Sequence, residues 1–232
     1  MIYDANGNPL GATDDVNIEK WDGKKIIVDG SSITSGGSGR PVDPTWPHYI
    51  EDYLNVTIYD HSKSGSQWVY YYGGDRTTSY MRIQDYEQDA DCIITMGDFS
   101  TSRGLLGTIE DTADIDATTY YARLKAYAEA LIAAFPLIPI IWAIEPPRNW
   151  NNHNDPTSAN EQTAKAIKDV AELYGFPVAD CLHQTIYRPY NPTNYASNTS
   201  DGTHPWNNIQ KGMAQIILET MKKTPVYYVV NS

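Results

Sequence analysis

Cysteine, phenylalanine and basic residues are scarce in this 232-residue sequence, and each scarcity narrows what the protein can be. Its two cysteines, Cys92 and Cys181, are too few and too far apart for a zinc knuckle. Both lie in apolar surroundings, and the sequence carries no secretory cue, which favours buried thiols over a disulfide. We therefore predict two free, buried cysteines.

The shortage of positive charge excludes one class of partner. Seventeen Lys and Arg residues stand against 29 Asp and Glu residues, which gives a formal net charge of -12. Such a chain would repel a phosphate backbone rather than bind it. We therefore predict no nucleic-acid partner.

Long apolar runs are also lacking. The longest, residues 126–144, is interrupted by Glu129, Pro136 and Pro139, and it is typical of a helix, a turn and a strand rather than a membrane span. The first fifteen residues lack the basic segment and apolar stretch of a signal peptide. We predict no membrane partner.

The sequence does contain enough apolar residues for one hydrophobic core, and it has many Tyr and Trp side chains. With 41% hydrophobic residues, a chain of this length is typical of one domain. Eighteen Tyr and six Trp against three Phe suit half-wet surfaces such as sugar-binding grooves, although packing explains many of them equally well. Residues 1–20 are turn-rich and acidic, so we predict a leader or linker ahead of a domain at 21–232. Such a leader is typical of a junction in a larger assembly, for example a phage tail or cell-surface protein.

Short apolar runs alternate with helix-like segments along the chain. The predicted strands are residues 25–30, 56–61, 91–97, 137–144 and 176–181. Helical periodicity covers residues 121–135, 158–174 and 209–221, and a capping box at Ser158 and Glu161 opens the second of these. Residues 187–199, rich in Asn, Pro and Tyr, are typical of a long surface loop. The alternation predicts an α/β fold, namely a three-layer α/β/α, flavodoxin-like five-stranded parallel sheet.

Two polar segments lie where such a fold places its ligands. The first strand ends on Gly30, Ser31 and Ser32, and ligands of open α/β sheets bind beyond the carboxyl ends of the strands. Alone, these residues could equally form a turn or a helix N-cap. Near the other end of the chain, Asp201 and His204 are three residues apart, and a carboxylate beside an imidazole fixes the tautomer that a general base needs. A nucleophile, a base and an orienting group are thus all available.

The segments "IIVDGSSITSG" and "DGTHPW" resemble the first and last sequence blocks of the SGNH, or GDSL-type, hydrolase family. Gly65 in "HSKSGSQ" and Gly97 in "ITMGDFS" match the second and third blocks, so the resemblance spans roughly residues 21–221. It implies a serine esterase without cofactor or metal, in which Ser32 is the nucleophile, His204 the base and Asp201 its partner. The oxyanion hole would use Ser32 and Gly65, with a contribution from Gly97.

Two departures from the family pattern concern the site. The usual Gly-Asp-Ser of the first block has Ser31 in the place of aspartate, and the usual Gly-x-Asn-Asp of the third block lacks the asparagine. Losing one oxyanion donor typically costs about 100- to 1,000-fold in turnover. Candidate substitutes for that donor are the side chains of Ser100 and Ser102 and the region of Asn152. We predict substrate contacts from Asp98, Phe99, Ser100 and Arg148.

The substrate prediction rests on the same resemblance, because the family includes lipases, thioesterases and carbohydrate deacetylases. The sequence has no long amphipathic lid suited to a lipid surface, which favours a short acyl group, acetyl, on a small molecule or glycan. Two alternatives remain open at this point. One is a catalytically degenerate module that binds glycan or protein, and the other is a flavodoxin-like anion site at residues 30–39, which the absence of a basic residue before Arg40 disfavours. His153 and His183 lack partners at metal-ligand spacing.

Overall fold

The strands of this protein run in the order expected for a doubly wound sheet. The structure is a computed structural model that describes residues 19–36, 44–69, 77–97, 105–149 and 158–226. Its strands are β1 (Lys25–Gly30), β2 (Thr57–Asp60), β3 (Cys92–Gly97), β4 (Ile140–Ile144) and β5 (Val178–Asp180). They form a parallel sheet in the order β2-β1-β3-β4-β5. The direction of chain progression therefore reverses between β1 and β3, where flavodoxin-like sheets bind their ligands.

Helices connect the strands within the described residues. They are α1 (Ser32–Ser35), α2 (Trp46–Leu54), α3 (Ser79–Arg82), α4 (Tyr120–Ala134), α5 (Ser158–Tyr174), α6 (Cys181–Gln184), α7 (Pro192–Asn198) and α8 (Asn207–Lys223). Short 3-10 turns occupy Glu19–Trp21 and Ile83–Asp85. No helix in these described ranges is long and apolar enough to cross a membrane.

Alternating side chains of the central strands supply two separate cores. Ile27, Ile93 and Trp142 pack on one face of the sheet, where α4 and α5 cover them. The neighbouring residues Ile26 and Ile94 point to the opposite face, which α2 and α8 cover. A sheet covered on both faces needs nearly continuous apolar strands, which is the pattern of β1, β3 and β4. The predicted α/β/α fold with a five-stranded parallel sheet is confirmed.

One predicted element was wrong, and one lies mostly outside the described residues. The segment predicted as a long surface loop contains α7, because Asn191 caps the N–H groups of Thr193 and Asn194, and Pro192 fits the first helical turn. Asn and Pro are typical of loops but equally of helix starts. Of the predicted leader, residues 1–18 lie outside the described part of the chain.

Both cysteines are free and buried, as predicted. Burial raises the pKa of the Cys92 and Cys181 thiols well above the ordinary value for cysteine. Because the thiolate is the reactive form, these residues contribute to packing rather than to chemistry.

Candidate active site

The turn after β1 presents Ser32 at the carboxyl end of the sheet. Ser31 is the N-cap of α1, and its Oγ accepts a hydrogen bond from the Ile33 N–H at 3.3 Å, so Ser32 is the first helical residue. Gly30 permits this tight turn, because a Cβ there would lie 2.3 Å from Thr34 Oγ1. Ser32 is only 8% exposed. The geometry of the turn therefore explains the residue types of Gly30 and Ser31.

The loop before α8 is folded around one carboxylate. Asp201 Oδ1 accepts hydrogen bonds from the main-chain N–H groups of Thr203 and His204, each at 2.9 Å. Gly202 has φ +73°, a left-handed conformation that favours glycine. The hydroxyl of Thr199 accepts the Gly202 N–H at 3.1 Å. These local bonds place the carboxylate of Asp201 beside the ring of His204.

The structure brings Ser32, His204 and Asp201 together. Ser32 Oγ lies 2.8 Å from His204 Nε2, and His204 Nδ1 lies 2.7 Å from Asp201 Oδ2. A carboxylate can only accept, so Nδ1–H donates to it and leaves the Nε2 lone pair facing the serine hydroxyl. Burial raises the pKa of Asp201, but hydrogen bonds from the main chain and ring of His204 and from Thr203 outweigh it and lower that pKa to about 2. Asp201 is thus anionic at neutral pH.

The segment after β2 brings Gly65 to the same edge of the sheet. The Lys63 N–H donates to Gly30 O at 3.0 Å, which extends the pairing with β1 past the end of β2. Gly65 has φ +75°. Within the described part of the chain, the main-chain N–H groups of Ser32 and Gly65 have no hydrogen-bond acceptor. Neither donor is therefore used by a hydrogen bond within the described part of the chain.

Gly97 ends β3 at this edge. A Cβ on Gly97 would lie 2.6 Å from Trp68 Nε1, so the indole of Trp68 requires glycine there. The predicted substrate contacts Asp98, Phe99 and Ser100 lie outside the described residues, as do Arg40, Ser102, Asn152 and His153.

Glu145 is a site residue that the sequence analysis missed. It follows β4 directly, is 3% exposed, and accepts a 2.6 Å hydrogen bond from the Ser31 hydroxyl. Its other oxygen pairs with Arg148, which is also buried. The carboxylate that the first sequence block lacks is thus supplied to Ser31 from another strand, and the charge of Arg148 is compensated internally. The one sequence signal for Glu145 is its place as the first charged residue after a buried strand.

Asp29 is a second buried carboxylate that the sequence analysis passed over. It accepts hydrogen bonds from Arg82 Nε at 3.0 Å and from the Tyr86 hydroxyl at 2.6 Å. Arg82 also donates to Ser66 Oγ at 2.8 Å. The arginine therefore ties the end of β1 to the residue next to Gly65, and the signal for it was an aspartate inside the apolar run "IIVDG".

Comparison with known proteins supports this architecture. No family profile and no curated protein matches the sequence. A solved structure described as a GDSL-like lipase from Bacteroides ovatus is 17% identical with a TM-score of 0.61, covering 88% of this chain and 100% of its own. A Slackia heliotrinireducens protein described as an SGNH hydrolase is 15% identical with a TM-score of 0.54, covering 86% and 100%. This chain has the SGNH hydrolase fold.

A third similar solved structure carries a substrate in its name. It is a variant of an acetyl-xylooligosaccharide esterase from a Geobacillus species, with 19% identity and a TM-score of 0.56, covering 89% of this chain and 98% of its own. At such identities the likeness concerns the fold. The roles of individual side chains rest on their geometry in this chain.

Proposed function

We propose that this protein is a divergent SGNH-type serine esterase that hydrolyses a carboxylic ester through an acyl-enzyme. Ser32 is the nucleophile, His204 the general acid and base, and Asp201 the residue that orients His204. The observation that carries the proposal is the continuous chain of contacts from Ser32 Oγ through His204 to Asp201, at 2.8 and 2.7 Å. Residues from opposite ends of the chain meet in the order that nucleophilic catalysis requires.

The first half of the reaction follows from these contacts. Ser32 Oγ attacks the ester carbonyl while His204 Nε2 removes its proton, and Asp201 stabilises the resulting imidazolium. The carbonyl oxygen becomes an oxyanion, to which the N–H groups of Ser32 and Gly65 donate. When the tetrahedral intermediate collapses, His204 returns the proton to the leaving alcohol. In the second half, His204 activates a water molecule, which releases the acid and restores the serine.

The substrate we propose is a short acyl ester, namely an acetyl group on a carbohydrate or other small molecule. The sequence has no long amphipathic lid suited to a lipid surface, which supports a short acyl group. The likeness to an esterase named for acetyl-xylooligosaccharides points the same way.

A serine probe and one substitution test the nucleophile. We expect a fluorophosphonate to label the wild-type protein on Ser32, and Ser32→Ala to abolish labelling and lower turnover of p-nitrophenyl acetate by about 10⁴-fold or more. Ser35→Ala, in the same short helix, is the matched control and should keep wild-type activity. If Ser32→Ala hydrolysed the ester at the wild-type rate, the assignment would be wrong.

A second assay separates esterase from binding module. We expect acetate release from acetylated xylooligosaccharides, and kcat/KM for p-nitrophenyl esters to fall as the acyl chain lengthens beyond butyrate. Tight glycan binding with neither labelling nor acetate release would instead favour the catalytically degenerate module that the altered first and third blocks motivate.

A further inference from the structure

A buried segment after β4 contacts both halves of the candidate site. Residues 145–149, here called the strap, are all buried. The strap begins at the carboxyl end of the sheet, where the Glu145 N–H donates to Gly97 O at 3.3 Å. Its residues contact both the turn that carries Ser32 and the loop that carries His204.

One end of the strap fixes the nucleophile turn. Glu145 Oε1 accepts the Ser31 hydroxyl at 2.6 Å, and Arg148 holds the other carboxylate oxygen. The same Ser31 Oγ accepts the Ile33 N–H as the cap of α1. Because one hydroxyl bonds both the strap and the first turn of α1, Glu145 fixes the rotamer of Ser31 and thereby the orientation of Ser32.

The other end fixes the acid–base loop. The Asn149 N–H donates to Gly202 O at 2.8 Å, and Asn149 Nδ2 donates to Pro189 O at 3.0 Å. Gly202 is the residue after Asp201, and a Cβ on it would lie 2.5 Å from Asn149 O. The strap and the loop are thus in close main-chain contact.

The two ends are joined by Pro146 and Pro147. Each ring fixes φ and removes an N–H, and proline also restricts the residue before it to extended conformations. Pro146 and Pro147 have no main-chain N–H, so this buried segment has no donor to satisfy at these two positions. The fixed φ angles also leave the segment little freedom to change its length. The distance between its two ends is therefore restricted.

We propose that the strap is a positioning element that sets the separation of Ser32 Oγ and His204 Nε2, with Glu145 as a positioning residue acting through Ser31. The inference rests on the proposed esterase function. A misplacement of about 1 Å between reacting groups can cost on the order of 100-fold in rate, so a rigid link between two loops that are distant in sequence has a catalytic effect without touching the substrate.

Substitutions at Glu145 test the first link. We expect Glu145→Ala to lower kcat by about 10- to 100-fold with KM within about twofold of wild type. Glu145→Gln should lose less, because its amide oxygen still accepts the Ser31 hydroxyl. Leu131→Ala, at a fully buried residue of α4, is the control for a general loss of stability. Equal kcat values for Glu145→Ala and this control would overturn the proposal.

A double-mutant cycle tests whether Glu145 acts through Ser31. Ser31→Ala removes the donor but leaves the ion pair of Glu145 with Arg148, so it also keeps the test open if Glu145→Ala fails to fold. We expect Ser31→Ala combined with Glu145→Ala to reduce kcat no further than the larger single effect. Additive losses would show that the two residues act separately, and the proposed route would be wrong.

Hydrogen exchange at the Asn149 amide tests the strap without any substrate. We expect Ser31→Ala or Glu145→Ala to accelerate this exchange by at least about tenfold relative to Leu131→Ala at matched stability. An unchanged exchange rate at the Asn149 amide would overturn the proposal that the strap links the two loops. If the wild-type protein hydrolysed no ester and accepted no serine probe, the proposed function would fail, while the exchange rates would still decide whether the strap couples the two loops.

Discussion

Two histidines of this protein have nearly the same local partner, yet only one of the two faces a serine hydroxyl. His204 Nδ1 lies 2.7 Å from Asp201, and His183 Nδ1 lies 2.8 Å from Asp180, in both cases three residues earlier in the chain. Each aspartate also accepts the main-chain N–H of its histidine, at 2.9 and 3.2 Å. The Asp-x-x-His pair is therefore a local structure that the spacing alone can form.

The difference lies at the second ring nitrogen. His204 Nε2 faces the hydroxyl of Ser32, whereas His183 Nε2 lies 3.0 Å from a carboxylate oxygen of Glu161. A carboxylate oxygen accepts hydrogen bonds, so it offers His183 no hydroxyl group to deprotonate. His183 is also the more exposed side chain, 41% against 19%. The role proposed for His204 therefore rests on its long-range partner, Ser32, and not on its local one.

Removing each imidazole should separate the two pairs most strongly. We expect His204→Ala to lower kcat for a short acyl ester by about 10⁴- to 10⁶-fold, because Ser32 then has no base. His183→Ala should leave kcat within about twofold and change the free energy of unfolding by no more than about 1 kcal/mol, since it removes only an exposed ion-pair network. Steady-state kinetics and denaturant melts measure both. A comparable loss of turnover in the two variants would contradict the assignment of His204.

The sequence predicted the architecture well where one physical signal dominated. β1 was predicted at its observed bounds because a covered strand reads as an apolar run. The helices α4 and α8 were predicted with ends that differ from the observed ones by one or two residues, because their apolar residues recur at helical spacing. β4 begins at Ile140 rather than at residue 137, since Leu137 is 63% exposed and Pro139 offers no N–H to a sheet. The apolar run includes the turn that precedes the strand, and the hydrogen bonds of the sheet determine where the strand begins.

The candidate site was predictable only in part, for a related reason. Ser32, Asp201 and His204 belong to sequence blocks with local signatures, and the structure brings these three side chains together. Glu145 has no such signature, because its bond to Ser31 joins residues 114 positions apart. Side chains that act through long-range contacts become visible only when the fold is known.

Replacing each aspartate by its amide should give the next largest difference. We expect Asp201→Asn to lower kcat by about 10³- to 10⁴-fold while leaving KM nearly unchanged. The main-chain N–H groups of Thr203 and His204 hold the amide oxygen, so the uncharged NH2 group faces Nδ1, favours the wrong tautomer and does not stabilise the imidazolium. Asp180→Asn is the matched control, with the same spacing to its histidine, and should keep wild-type kcat. A loss of less than about tenfold in Asp201→Asn would mean that His204 is oriented by some other group.

The smallest expected difference between the Asp201–His204 and Asp180–His183 pairs is their contribution to stability at acidic pH. The pKa of Asp201 lies at about 2 in the folded protein, below the ordinary value of 3.8, so its ionised form stabilises the fold above about pH 4, and this contribution disappears as the pH falls towards 2. Allowing for solvent screening of a partly exposed group, we expect about 1–2 kcal/mol. The pKa of Asp180 is also lowered, since the opposing effect of burial is outweighed by hydrogen bonds from Lys168 and His183.

Denaturant melts of the wild type, Asp201→Asn and Asp180→Asn between pH 2 and 6 measure these contributions. The gap in unfolding free energy between wild type and Asp201→Asn should be constant above pH 4 and close by about pH 2. The difference in unfolding free energy between wild type and Asp180→Asn should also shrink as the pH falls, because the pKa of Asp180 is lowered too. A difference between wild type and Asp201→Asn that stayed constant down to pH 2 would contradict this prediction. It would show that the substitution acts through packing and that the hydrogen bonds to the Asp201 carboxylate do not stabilise its ionised form.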